Sequence, residues 1–87
     1  MTQPVTLYAA DWCPYCQRAR DLLARKNIAV VEINVDEDIK FREQMIARSN
    51  RRTVPQIFIG DRHIGGCDDL FALDGDGELD RLLQGAG

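Results

Sequence analysis

Apolar positions along the chain fall into short groups whose spacing changes from one group to the next. Val5 to Ala9 is an apolar run interrupted only by Thr6, a strand pattern that stops at the loop Ala10-Asp11-Trp12. From Pro14 to Lys26 the apolar positions Cys16, Ala19, Leu22 and Leu23 recur at helical spacing. Arg25 and Lys26 stand in its last turn, where cations suit the helix dipole, and Asn27 suits a left-handed cap. Val31, Ile33 and Val35 then alternate with Glu32 and Asn34, the period of a strand with one buried face. Asp36 fits a helix N-cap, with Glu37 and Asp38 as first-turn carboxylates, and the spacing predicts a helix to about Asn50 that buries Phe41, Met45 and Ile46. Gln56 to Ile59 reads as a strand, Gly60-Asp61 as a two-residue hairpin turn, and Arg62 to Gly65 as the returning strand. Gly65-Gly66 breaks that strand before a short helix from Cys67 to about Leu73. A last helix, from about Gly77 to Gln84, buries Leu79, Leu82 and Leu83.

The order is strand, helix, strand, helix, hairpin, helix. Strand-helix-strand implies a parallel pair with a right-handed crossover, and the hairpin adds antiparallel strands. The expectation is an α/β fold with a mixed sheet covered by helices, in one domain spanning residues 1–87.

Composition narrows the function classes. Eleven Lys and Arg against fourteen Asp and Glu give a formal charge of −3, which argues against a nucleic-acid partner. The charge is unevenly spread, with Arg48, Arg51 and Arg52 crowded before Thr53-Val54-Pro55 and acidic residues dominating from Asp68 to Asp80. Met1 to Thr6 shows no basic region followed by an apolar run, and no stretch reaches membrane-spanning length. Three cysteines, two of them in one short motif, do not make a disulfide scaffold and point to a reducing compartment. A cytoplasmic monomer with no membrane association is expected.

Cys13-Pro14-Tyr15-Cys16 sits where the strand pattern gives way to the first helix. Pro14 suits the first helical position, so Cys13 falls at the N-cap and Cys16 one turn on. Unpaired N–H groups and the positive end of the dipole then face the Cys13 sulfur, an environment that favours a thiolate. A stable thiolate is also a good leaving group, so a mixed disulfide formed at such a position exchanges in both directions. The reading is a redox centre with Cys13 as nucleophile and Cys16 as resolving thiol. Half of a zinc site is a second reading, for which His63 and Cys67 are the available partners, and a pair of buried structural cysteines is a third.

Two further stretches, Thr53-Val54-Pro55-Gln56 and Gly65-Gly66-Cys67-Asp68-Asp69, stand in register with the first. Together the three resemble the glutaredoxin family, most of all its short bacterial dithiol members, over nearly the whole chain. The resemblance implies the thioredoxin-like fold, a four-stranded mixed sheet in the order 2-1-3-4, and a cis peptide before Pro55. It implies glutathione as co-substrate, with no tightly bound cofactor. The backbone of Val54 would pair with the cysteine of glutathione like an added strand, with Thr53 and Pro55 beside it. Gly66 would admit the γ-glutamyl end, whose carboxylate meets the N–H groups of Cys67 and Asp68 while the Asp68 carboxylate takes the ammonium. Arg52, or failing that Arg51, would hold the glycine carboxylate, and Tyr15 would lie beside the sulfur.

The implied partners are glutathione, disulfide-containing or glutathionylated proteins such as ribonucleotide reductase, and glutathione reductase indirectly. Two positions depart from the family pattern: Trp12 is more usual in thioredoxins, and Ala10 stands where many glutaredoxins have lysine. Two rival functions use the same residues. One is a thioredoxin-like reductant recharged by a flavoenzyme, and the other is an iron-sulfur module in which two chains each lend Cys13 and a glutathione. Asp74-Gly75-Asp76-Gly77-Glu78 resembles part of a calcium loop, but Leu79 and Gly85 stand where such a loop needs glycine and glutamate, so it reads as a turn with a helix cap.

Overall fold

A computed structural model describes residues 3–84; Met1 and Thr2, part of the stretch read for a leader, and Gly85 lie outside it. The elements are β1 (Val5–Ala9), α1 (Pro14–Arg25), β2 (Val30–Asn34), α2 (Ile39–Ser49), β3 (Gln56–Ile59), β4 (Arg62–Gly65), α3 (Cys67–Gly75) and α4 (Glu78–Leu83). The sheet is four-stranded in the order β2-β1-β3-β4, with β1 and β2 parallel and both β1–β3 and β3–β4 antiparallel. This is the thioredoxin-like arrangement.

Alternation along the two central strands divides the core. Val5, Leu7 and Ala9 of β1 and Ile57 and Ile59 of β3 face one side, where Cys16, Ala19, Leu22 and Leu23 of α1 meet Leu70, Leu79 and Leu83 of α3 and α4. Tyr8 and Phe58 face the other side and pack with Met45 of α2 and with Val35. Their rings meet edge to face with centroids 5.8 Å apart. One cation joins three helices: Lys26 Nζ lies 2.6 Å from Asp74 Oδ1 and 3.0 Å from Asp80 Oδ1. α3 runs on to Gly75, two residues past the expected end near Leu73, and leaves Asp76-Gly77 as the turn before α4.

Two other expectations are corrected. The cap of α2 is Asp38, whose Oδ1 accepts the Lys40 N–H at 2.9 Å; Asp36 is instead occupied in a turn, its N–H bonded to Asn34 Oδ1 and its carboxylate to Arg42. β2 does not bury one face along its length. It is an edge strand, and α2 covers it only at the Val35 end, so Ile33 is half-buried and Val31 is 61% exposed. The remaining boundaries follow the pattern, with Asn27 and Asn50 in left-handed conformation after α1 and α2 and Gly60 at φ 58 in the hairpin turn.

Candidate functional site

β1 delivers the chain through the Ala10–Trp12 loop to Cys13, which caps α1 in extended conformation with Pro14 inside the first turn. The Cys16 backbone N–H donates to Cys13 Sγ at 3.2 Å, so the sulfur takes one of the donors a helix start leaves unpaired. Cys13 Sγ also lies 3.9 Å from the Val54 carbonyl oxygen, within reach of a weak S–H donation. Cys13 is half-buried, whereas Cys16 is completely buried, and burial followed by its hydrogen bond with Cys13 pushes the Cys16 thiol well above its ordinary range. One thiol is presented and the other is kept protonated beneath it. Trp12 is 98% exposed and Tyr15 is 57% exposed at the same end of the molecule.

The Val54–Pro55 peptide is cis. Tyr15, Thr53, Val54, Pro55, Gly66, Cys67 and Asp68, all singled out in the sequence, line one cleft of about 220 Å³. Arg52, the first choice for a carboxylate partner, is exposed and does not line it; Arg51 does. The reason lies at the end of α2, where Asn50 turns the chain and Ser49 Oγ accepts the Arg51 N–H at 3.1 Å, sending that side chain toward α3. Arg51 Nη1 there meets Asp69 Oδ2 at 3.1 Å.

Adjacent carboxylates on α3 take different tasks. Asp69 Oδ2 accepts the Gly66 N–H at 2.9 Å, the reach-back half of a capping box, and that bond followed by Arg51 holds its carboxyl below the usual range. Asp68 is exposed on the cleft. Gly65 is at φ 122, and a Cβ there would strike the Asp69 carboxylate, which accounts for the first glycine of the pair. Cys67 is buried at the helix start, and burial raises its thiol.

Three residues carry more of the site than the sequence suggested. Asp69 and Arg51 link the two walls of the cleft, and Gln56 bonds both Thr53 and His63. The signal for Gln56 was present: an amide in an otherwise apolar strand must find partners when buried. Among the described residues, no group of three or more His, Cys, Asp or Glu side chains could hold a metal ion.

A family profile described as Glutaredoxin matches residues 5–64. The chain belongs to the glutaredoxin family. It is 54% identical over 80 residues to Glutaredoxin 3 of Escherichia coli strain K12, covering 92% of this chain and 96% of that one. A probable glutaredoxin of Synechocystis is 52% identical over 81 residues, covering 92% of each. Among solved structures, the glutaredoxin from Brucella melitensis superposes with a TM-score of 0.86 at 48% identity, covering 99% of this chain and 94% of that one. A buckwheat glutaredoxin in complex with glutathione superposes with a TM-score of 0.85 at 30% identity, covering 93% and 76%. Membership in this family makes the protein a thiol-disulfide oxidoreductase.

Proposed function

We propose that the protein reduces glutathione mixed disulfides and protein disulfides with glutathione as its electron donor, through Cys13 as nucleophile and Cys16 as resolving thiol. The observation that carries this reading is the asymmetry of the two thiols beside the cleft. Cys13 Sγ, held by the Cys16 N–H, stands next to the Val54 carbonyl on the cleft wall, while Cys16 is buried with its thiol pushed up.

Chemically, the Cys13 thiolate attacks the glutathione sulfur of a protein mixed disulfide. The protein thiolate leaves, and Cys13 is joined to glutathione. A second glutathione thiolate then attacks the glutathione sulfur, releasing oxidised glutathione and restoring the Cys13 thiolate. For a protein disulfide, the Cys13 thiolate attacks one of its sulfurs and releases the other as a thiolate. Cys16 then attacks the Cys13 sulfur, expels the second protein thiolate and closes the Cys13–Cys16 disulfide, which two glutathiones reopen as they leave as oxidised glutathione. Cys16 must lose its proton for that step, and its burial opposes the loss.

The cleft supplies what a tripeptide with two charged ends requires. Thr53, Val54 and Pro55 offer a backbone edge for its central cysteine. Gly66 allows close approach, the first N–H groups of α3 at Cys67 and Asp68 suit a carboxylate, and Asp68 suits the ammonium beside it. Arg51 takes the glycine carboxylate ahead of Arg52 because it lines the cleft. Tyr15 flanks the sulfur. That a buckwheat relative of the same fold forms a complex with glutathione supports glutathione as the ligand.

The test is turnover of a glutathionylated peptide in two reconstituted systems. Steady NADPH oxidation is expected with glutathione and glutathione reductase. Turnover only with thioredoxin reductase, and none with glutathione, overturns the reading.

A further inference from the structure

Gln56 opens β3, yet it is only 1% exposed, so every polar atom of its amide depends on protein partners. Its Nε2 donates to the Thr53 carbonyl oxygen at 3.1 Å and lies 3.3 Å from Thr53 Oγ1. Its Oε1 lies 2.7 Å from His63 Nε2. A carbonyl can only accept, so the amide nitrogen must face Thr53 and the amide oxygen must face the imidazole. His63 therefore carries its proton on Nε2. The imidazole is fixed in turn, opposite Phe58 across the hairpin with the ring centroids 4.9 Å apart.

The far end of this relay controls a group that the proposed function uses. The Thr53 C=O and the Val54 N–H belong to one trans peptide plane and point in opposite directions. Holding the Thr53 oxygen against the buried Gln56 amide turns the Val54 N–H away from it. We infer that Gln56, oriented by His63, is a positioning residue that aims the Val54 backbone edge at glutathione. This rests on the reading that glutathione pairs with that edge. Neither side chain exchanges electrons or protons with the substrate; the pair sets affinity for glutathione and leaves the sulfur chemistry to Cys13.

Two variants and three measurements test it. Gln56→Met removes both ends of the relay at similar length, and His63→Phe keeps a ring over Phe58 while deleting the donor to Gln56. With glutathione as donor, KM is expected to rise about 5- to 10-fold in the first and about 2- to 3-fold in the second, with kcat within about 2-fold. Disulfide reduction driven by dithiothreitol, with no glutathione present, should stay within about 2-fold in both, since it needs no pairing with the Val54 edge. The Val54 amide resonance of the free protein should shift or broaden in each.

A purely structural role would lower the melting temperature and leave KM for glutathione unchanged, and that result overturns the inference. Should Gln56→Met fail to fold, the KM of His63→Phe decides alone. If the parent protein works with dithiothreitol but not with glutathione, the functional reading fails separately. The Val54 resonance then decides, and an unperturbed signal in His63→Phe overturns the positioning role.

Discussion

Within one turn of helix, Cys13 and Cys16 are chemically different groups. The first accepts an N–H donor at a half-buried helix start; the second is enclosed, and its thiol is raised by burial. Cys13→Ser should therefore abolish reduction of a glutathione mixed disulfide. Cys16→Ser should retain it, because external glutathione can resolve the intermediate; equal loss in a coupled assay with both variants would contradict the assignment. A second contrast separates neighbouring carboxylates. Asp69 is committed to the Gly66 N–H and to Arg51, while Asp68 is exposed on the cleft. A charge-assisted hydrogen bond worth about 1.5 to 3 kcal/mol implies that Asp68→Ala weakens glutathione by about 10-fold or more with the melting temperature nearly unchanged. An unaltered KM in the folded variant would return Asp68 to a plain first-turn carboxylate.

Elements of this fold were legible to the extent that their signals were local. Pro14 after Cys13, the helical spacing of Cys16 through Leu23 and the Gly60-Asp61 turn each act within a few residues, and the structure places all three as read. The sheet order and the cis peptide came through the resemblance, since pairing partners far apart leave no mark on spacing. What was misread depended on tertiary neighbours. Asp36 was drawn from its cap by Asn34 and Arg42, and Val31 lost its cover because α2 reaches only one end of β2. That Arg51 and not Arg52 lines the cleft follows from the direction of the chain after a left-handed Asn50. Element ends also give the next prediction. Asp69→Ala removes the reach-back cap of α3, a loss of about 1 kcal/mol, which for a domain this small lowers the melting temperature by roughly 4 to 8 °C. Gly75→Ala is the internal control: a Cβ there meets nothing within 4 Å in a helical residue, so the substitution should be neutral or stabilising. Matching thermal scans of the two variants would show the cap to be idle if Asp69→Ala melted no lower than Gly75→Ala.

For the molecule as a whole, the perturbed groups combine into a dome of stability against pH. His63 titrates below its ordinary 6.5, first because it is partly buried and then because Arg51 lies close, with Asp69 opposing and Arg48 adding to the shift. A base whose folded pKa is lowered binds fewer protons in the native state than in the unfolded chain, so stability declines as pH falls below about 6.5 and levels off once native His63 is protonated. Asp69, held below its ordinary 3.8 by the Gly66 N–H and Arg51, contributes stability that is present above that value and is lost as pH falls through its folded pKa. On the alkaline side, burial raises Cys16 and Cys67 above an ordinary 9.0, so the unfolded chain ionises first and stability falls as pH rises beyond it. Asp69 and Cys67 line the cleft, and Cys16 and His63 lie behind it, hydrogen-bonded to Cys13 and Gln56, so residues in and around the cleft shape both limbs of the curve. Urea midpoints of the reduced protein measured against pH should therefore show three losses, and His63→Phe should remove the one that begins near pH 6.5 while keeping the other two. A midpoint that still falls from pH 6.5 in that variant would assign the acid limb to other groups. One that stays level above pH 9 in the parent would mean that Cys16 and Cys67 ionise as readily folded as unfolded.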